Sequence, residues 1–192
     1  MAAALFFCPP ASAGPIDDAL AARARGDHAT ALQLLSPLAE AGDRAAQYEL
    51  GTMRFTGKGV PRDEGDAARW FGRAAERGDE RAQRVLGVLF DNGWGVARDH
   101  AIAARWYRRA AEQGDPEAQY ALGEMCANGR GVAIDGIQAY AWLSLAASRF
   151  PPEERRRVEI ARGIVGLSLT VAQIAAAERV VDEWKPKAET QP

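Results

Sequence analysis

Few places in this sequence hold residue types that support chemistry, and at each one the spacing decides the meaning. Gly57-Lys58-Gly59 looks like a phosphate cradle, in which backbone N–H groups and a lysine hold an anion. It lacks the Gly-x-x-x-x-Gly-Lys-Ser/Thr spacing of such loops and follows a helical pattern rather than a strand. The same form returns as Gly93-Trp94-Gly95 and Gly129-Arg130-Gly131, so its cause is structural and the lysine is incidental. Cys126 falls inside a helical pattern, where a thiol serves as a small buried hydrophobe. His28 and His100 have no neighbours that suggest a catalytic base, and two histidines are few for a histidine-built metal site. Arg155-Arg156-Arg157 is flanked by Glu153, Glu154 and Glu159, the mixture of a solvated helix face and not of a nucleic-acid site. Glu112, Asp115 and Glu117 are accounted for as caps and surface. No metal-ligand spacing, nucleophile elbow or dinucleotide fingerprint occurs. The expectation is a chain with no catalytic residue, no cofactor and no metal.

What has to position these residues is a repeat. Leu50-Gly51 returns as Leu86-Gly87 and Leu122-Gly123; Asp63 as Asp99 and Asp135; Trp70 as Trp106 and Trp142. Each series keeps one step (106 − 70 = 36, 142 − 106 = 36), and a strict period of this size marks a solenoid. Within each copy the pattern predicts two helices. Asp43, Asp79 and Asp115 are placed to cap the first, and Gly57, Gly93 and Gly129 to end it in the left-handed conformation. Asp63, Asp99 and Asp135 open the second, whose stripe is Ala67, Trp70, Phe71 and Ala74 and its counterparts. Gly51, Gly87 and Gly123 each cost about 1 kcal/mol inside a helix. The reading is that the facing helix, with its alanines and its indole, comes too close for a Cβ.

The spans follow from this pattern. Residues 16–42 form a degenerate opening hairpin without the glycine loop; 45–80, 81–116 and 117–148 are full repeats. Residues 152–185 supply two capping helices, the second carrying a Thr170-x-x-Gln173 capping box and an apolar face of Ile174, Ala177, Val181 and Trp184. Residues 186–192 read as a disordered tail. At the start, Met1 to Phe7 is apolar, Pro9-Pro10 breaks it, and Ala11-Ser12-Ala13 has the small-x-small form of a signal-peptidase site. Residues 1–13 therefore read as a signal-peptide remnant whose basic region is missing, the alternative being a frayed, Ala-rich terminus.

Composition agrees with a globular helical chain. Hydrophobic residues make up 47%, charged ones 26%, and the net charge is -2, which leaves no basic excess for nucleic acid. No apolar run reaches the roughly 18 to 20 residues of a membrane-spanning helix. Two cysteines, Cys8 and Cys126, build no disulfide framework.

The pattern Ala-x-x-x-Leu-Gly, Gly-x-Gly-Val-x-x-Asp, Ala-x-x-Trp-Phe/Tyr-x-x-Ala-Ala-x-x-Gly resembles the Sel-one-like repeat, a relative of the tetratricopeptide repeat. The resemblance implies an all-α, right-handed solenoid of antiparallel helix pairs that acts as a scaffold or adaptor. It also implies a partner groove along the first helices. Carried through the Leu-Gly anchor, the groove positions are Tyr48, Thr52 and Phe55; then Arg84, Val88 and Asp91; then Tyr120, Glu124 and Asn128. These differ from copy to copy while the structural positions repeat. On pattern alone the aromatic ones fit packing against the next repeat equally well. Cysteine-rich relatives with a disulfide in each repeat are linked to β-lactam binding or hydrolysis, and this chain lacks those pairs. The functional expectation is a protein or peptide binder in the bacterial periplasm. A cell-wall or β-lactam enzyme, or a cytoplasmic regulator with the same fold, is the alternative.

Overall fold

The computed structural model describes residues 14–187. The signal reading of residues 1–13 and the last five residues of the expected tail lie outside the described residues. Among those described there are ten helices and no strand: α1 (Pro15–Ala24), α2 (His28–Glu40), α3 (Arg44–Thr56), α4 (Glu64–Glu76), α5 (Glu80–Asn92), α6 (His100–Gln113), α7 (Pro116–Asn128), α8 (Gly136–Arg149), α9 (Pro152–Gly166) and α10 (Val171–Glu183). Four helix pairs, α1/α2 to α7/α8, stack in chain order, each packing on the next.

The aspartates do the capping. Asp43, Asp79 and Asp115 accept from the N–H groups of Ala46, Ala82 and Ala118 at 2.8, 3.0 and 2.7 Å. Asp63, Asp99 and Asp135 do the same for α4, α6 and α8. The first helices end at Gly57, Gly93 and Gly129 with φ of 71°, 77° and 68°, a region that costs other residues a Cβ clash. The second glycine of each loop has a different duty. A Cβ on Gly95 would lie 2.2 Å from the Glu64 carbonyl oxygen, and one on Gly131 would lie 2.2 Å from that of His100. The loop of each repeat thus rests on the backbone at the start of the preceding second helix, which is why the motif needs two glycines and ignores the residue between them.

The close approach at Gly51, Gly87 and Gly123 is real, but the expected partner is not. A Cβ at these positions would meet Phe71 at 2.8 Å, Tyr107 at 2.6 Å and Leu143 at 2.8 Å. The wedge is the residue after the tryptophan. The indoles sit one position round the helix: Trp70 and Trp106 are half-buried beneath Arg73 and Arg109, each guanidinium 4.7 Å from its ring. Only Trp142 is buried, at 7% exposure.

A second tie between pairs escaped sequence reading. Gln47, Gln83 and Gln119 recur at the repeat step and are buried. Their amide nitrogens donate to the carbonyls of Ala39, Ala75 and Ala111 at 3.0, 3.1 and 3.0 Å, satisfying orphan acceptors at the end of the preceding helix. Past the repeats, Val158 of α9 is fully buried with Leu143, Ala146, Ala147 and Phe150. Helix α10 packs along α8, where Leu145 is buried at a position that carries Arg73 in α4 and Arg109 in α6. Trp184 lies under Arg149 at 4.4 Å, and Lys187 bonds Glu112 through both its N–H and its ammonium group.

Candidate functional site

Helices α3, α5 and α7 present the nine positions that the repeat register marks as a groove. Five of them, Arg84, Val88, Asp91, Tyr120 and Glu124, line one pocket of about 220 Å³ between α5 and α7. The others are placed differently. Tyr48 packs on Phe71 (ring centroids 5.6 Å apart) with the Arg81 guanidinium 4.2 Å above it, so it serves the joint between α3, α4 and α5. Phe55 lies 6.0 Å from Trp94 of the next loop. Thr52 donates to the Tyr48 carbonyl and lines a separate pocket against α1 and α2. Asn128 is exposed and donates to the Glu124 carbonyl.

The α5–α7 pocket has an aromatic floor and charged walls. Tyr107, held by Gly87 beneath it, contributes its ring; burial, with the charge of Asp91 behind it, drives its hydroxyl well above the usual tyrosine range. Tyr120 is raised by burial and by a hydrogen bond to Glu124, so it stays a neutral donor at any physiological pH. Asp91 receives His100 Nδ1 at 2.7 Å and Arg130 at 3.3 Å. Arg84 is held by Asp115 at 3.0 Å, and Arg157 from α9 bonds Glu117 at 2.6 Å and lies 5.1 Å from the Tyr120 ring centre. Every charge on the wall is anchored, which makes the surface a pre-ordered one.

Cys126, on the buried side of α7, has its thiol pushed up by burial, the opposite of an activated nucleophile. Among the described residues no group of three or more histidine, cysteine or acidic side chains converges on a metal position. Nor is any described helix long and apolar enough to cross a membrane. Sequence reading missed Tyr107, Glu117 and Arg130 as pocket residues. Arg130 had a visible signal, because it shares the repeat register with Lys58 and Trp94 at the centre of the glycine loops.

A second charge network ties the opening hairpin on. Glu49 is buried, pairs with Arg23 of α1, and lies 3.8 Å from Arg81 of α5. Burial raises its pKa against the pull of both guanidinium groups.

Comparison with known proteins places these elements. The Sel1 repeat family model matches residues 44–79, 80–115 and 116–149. The fold is similar to that of c5321, described as a protective antigen of uropathogenic Escherichia coli strains with an SLR fold. The two are 34% identical over 84% of this chain and 34% of that one, with a TM-score of 0.72. A Sel1 repeat protein from Oxalobacter formigenes is 38% identical over 67% of this chain and 96% of that one, with a TM-score of 0.61. The chain spans about a third of the length of the Escherichia coli protein. No protein of curated function matches.

Proposed function

Because the chain belongs to the Sel1 repeat family, whose members are commonly interaction scaffolds, we propose that it binds a peptide segment of a partner protein along α3, α5 and α7. The observation that carries this is the α5–α7 pocket. The repeat holds its capping aspartates, glycines and buried glutamines constant, while the side chains facing that pocket change from copy to copy. Constant residues build the frame and varied ones read the partner. A helix or extended strand laid on a preformed surface is the matching mode of recognition. Tyr120, Glu124 and Val88 are the contact residues of this reading; Tyr48 drops out because it is spent on the joint beneath Arg81.

Export to the periplasm remains part of the proposal, supported by the apolar start and the Ala11-Ser12-Ala13 motif. Mass spectrometry of the native protein tests it: a mature chain beginning at Gly14 is the expected result, and one retaining Met1 refutes it. For binding, affinity capture from the native envelope compares wild type with Tyr120→Ala/Glu124→Ala at matched thermal stability. The variant is expected to lose the partner that wild type recovers. Equal recovery removes these residues from the binding surface. A turnover assay on cell-wall fragments and a β-lactam is expected to give no activity.

A further inference from the structure

The three glycine loops create three comparable sites on the groove side, and their contents differ in a way that points to a ligand. Each site joins three positions: the first residue of a second helix, the middle residue of the following loop, and the residue two before the end cap of the first helix that precedes that second helix. In the last site these are His100, Arg130 and Asp91, and the carboxylate sits between the other two at 2.7 and 3.3 Å. In the middle site they are Glu64, Trp94 and Phe55, and the contact is aromatic, 6.0 Å between rings. In the first site His28 and Lys58 keep the register of His100 and Arg130, while the Asp91 register falls on Ala19 (91 − 72 = 19) and Arg23, two residues before the cap at Arg25, takes the third place.

The first site therefore repeats the basic half of the last one and lacks its acid. His28, Lys58 and Arg23 line a pocket of about 310 Å³ together with the hydroxyl-bearing Thr52 and Thr56. His28 Nδ1 is buried with no hydrogen-bond partner among the described residues, where His100 Nδ1 has Asp91. Among the described residues Lys58 makes no ion pair, where Arg130 has Asp91. No described acid lines the pocket: Glu49 is committed to Arg23 and lies toward Arg81, and Asp27, next to His28 in sequence, accepts from the Thr30 N–H as the cap of α2. An unmet buried imidazole nitrogen is a standing cost, and the same fold shows which group relieves it.

We propose that this pocket takes a carboxylate side chain of an acidic peptide segment, held by His28 and Lys58 as Asp91 is held by His100 and Arg130. The proposal rests on the groove reading above and names the partner's chemistry at one end of it. Recognition is a charge-assisted hydrogen bond in a partly enclosed site, with the threonine hydroxyls as secondary donors.

The two histidines make the test internal. Imidazole NMR signals of the whole protein are followed while a tetrapeptide with two glutamates, blocked at both ends, is added. The His28 signal is expected to shift along a saturating curve, and that of His100, already partnered, to stay in place. The glutamine isostere of the peptide shifts neither, and sodium acetate shifts His28 at higher concentration. Lys58→Gln, an exposed loop change, weakens the peptide about tenfold or more, the loss of one charge-assisted bond. The proposal is overturned if both imidazoles move together, if neither moves, or if Lys58→Gln binds like wild type. Inorganic phosphate binding as tightly as the peptide overturns the carboxylate assignment. Partner capture that depends on Tyr120 and Glu124 but not on Lys58 leaves the groove standing and removes only this pocket.

Discussion

Two glycine-to-alanine changes in helix interiors should move stability in opposite directions. Gly72 in α4 and Gly87 in α5 both sit mid-helix, where alanine is favoured by about 1 kcal/mol on backbone grounds. Around Gly72 a new Cβ meets nothing within 4 Å, so Gly72→Ala should stabilise by up to about 1 kcal/mol. At Gly87 the Cβ would stand 2.6 Å from two ring carbons of Tyr107, which is itself 5% exposed. Ordinary carbon contacts are about 3.5 to 4.0 Å, so the ring has to retreat by about 1 Å into a packed core. Overpacking of this kind costs about 1 to 3 kcal/mol, more when an aromatic ring must leave its rotamer. Set against the propensity gain, Gly87→Ala should give a net loss of up to about 2 kcal/mol. Urea midpoints of both variants, read at unchanged slope, measure the difference. In Gly87→Ala/Tyr107→Ala the clash disappears, so the double variant should be more stable than the sum of the single losses predicts. If Gly87→Ala stabilises as much as Gly72→Ala, the wedge does not exist in solution.

Other outcomes follow from the same contacts. Gly131→Ala forces a Cβ onto the His100 carbonyl at a φ of 70°, and no flexible side chain is there to yield; a loss of about 2 kcal/mol or more is expected by thermal melting. Gln119→Met keeps the volume but strips the bond to the Ala111 carbonyl, and should cost about 1 to 3 kcal/mol in urea unfolding. Glu49 has a folded-state pKa raised above 4.5, so the native state holds its proton more tightly than the unfolded chain. Its contribution is then fully present below 4.5 and is lost as pH rises through the raised value. Stability curves from about pH 4 to 7 should show that decline in wild type and lose it in Glu49→Gln.

How much of this was legible depends on whether a constraint was local. The capping aspartates and end-cap glycines act on backbone groups within three or four residues, and their spacing marks the six repeat helices α3 to α8. The period did the rest, since a helix pair that recurs has to bury its face on its neighbour. What failed was contact between helices, within a pair as well as across pairs. That a glycine faced something bulky was readable; that Phe71, Tyr107 and Leu143 fill the space and not the adjacent tryptophans depends on helix rotation by one residue. The groove split for the same reason. Tyr48 and Tyr120 hold one register position, yet Arg81 covers the first, while the second borders an open pocket and meets Arg157 of α9 from outside the repeats. The buried glutamines kept the repeat step in plain view, but their partners lie in the preceding helix, eight residues back.

The proposed binding face is the set of varied side chains that a rigid frame presents on α3, α5 and α7. A photo-crosslinking residue placed at Val88 or Glu124, and in separate chains at exposed Arg69 or Arg105 on the second helices, tests it directly in the native host cell. The same partner band should form from Val88 and Glu124 and be absent from Arg69 and Arg105. Crosslinks confined to Arg69 and Arg105 would put the binding face on the other side of the array.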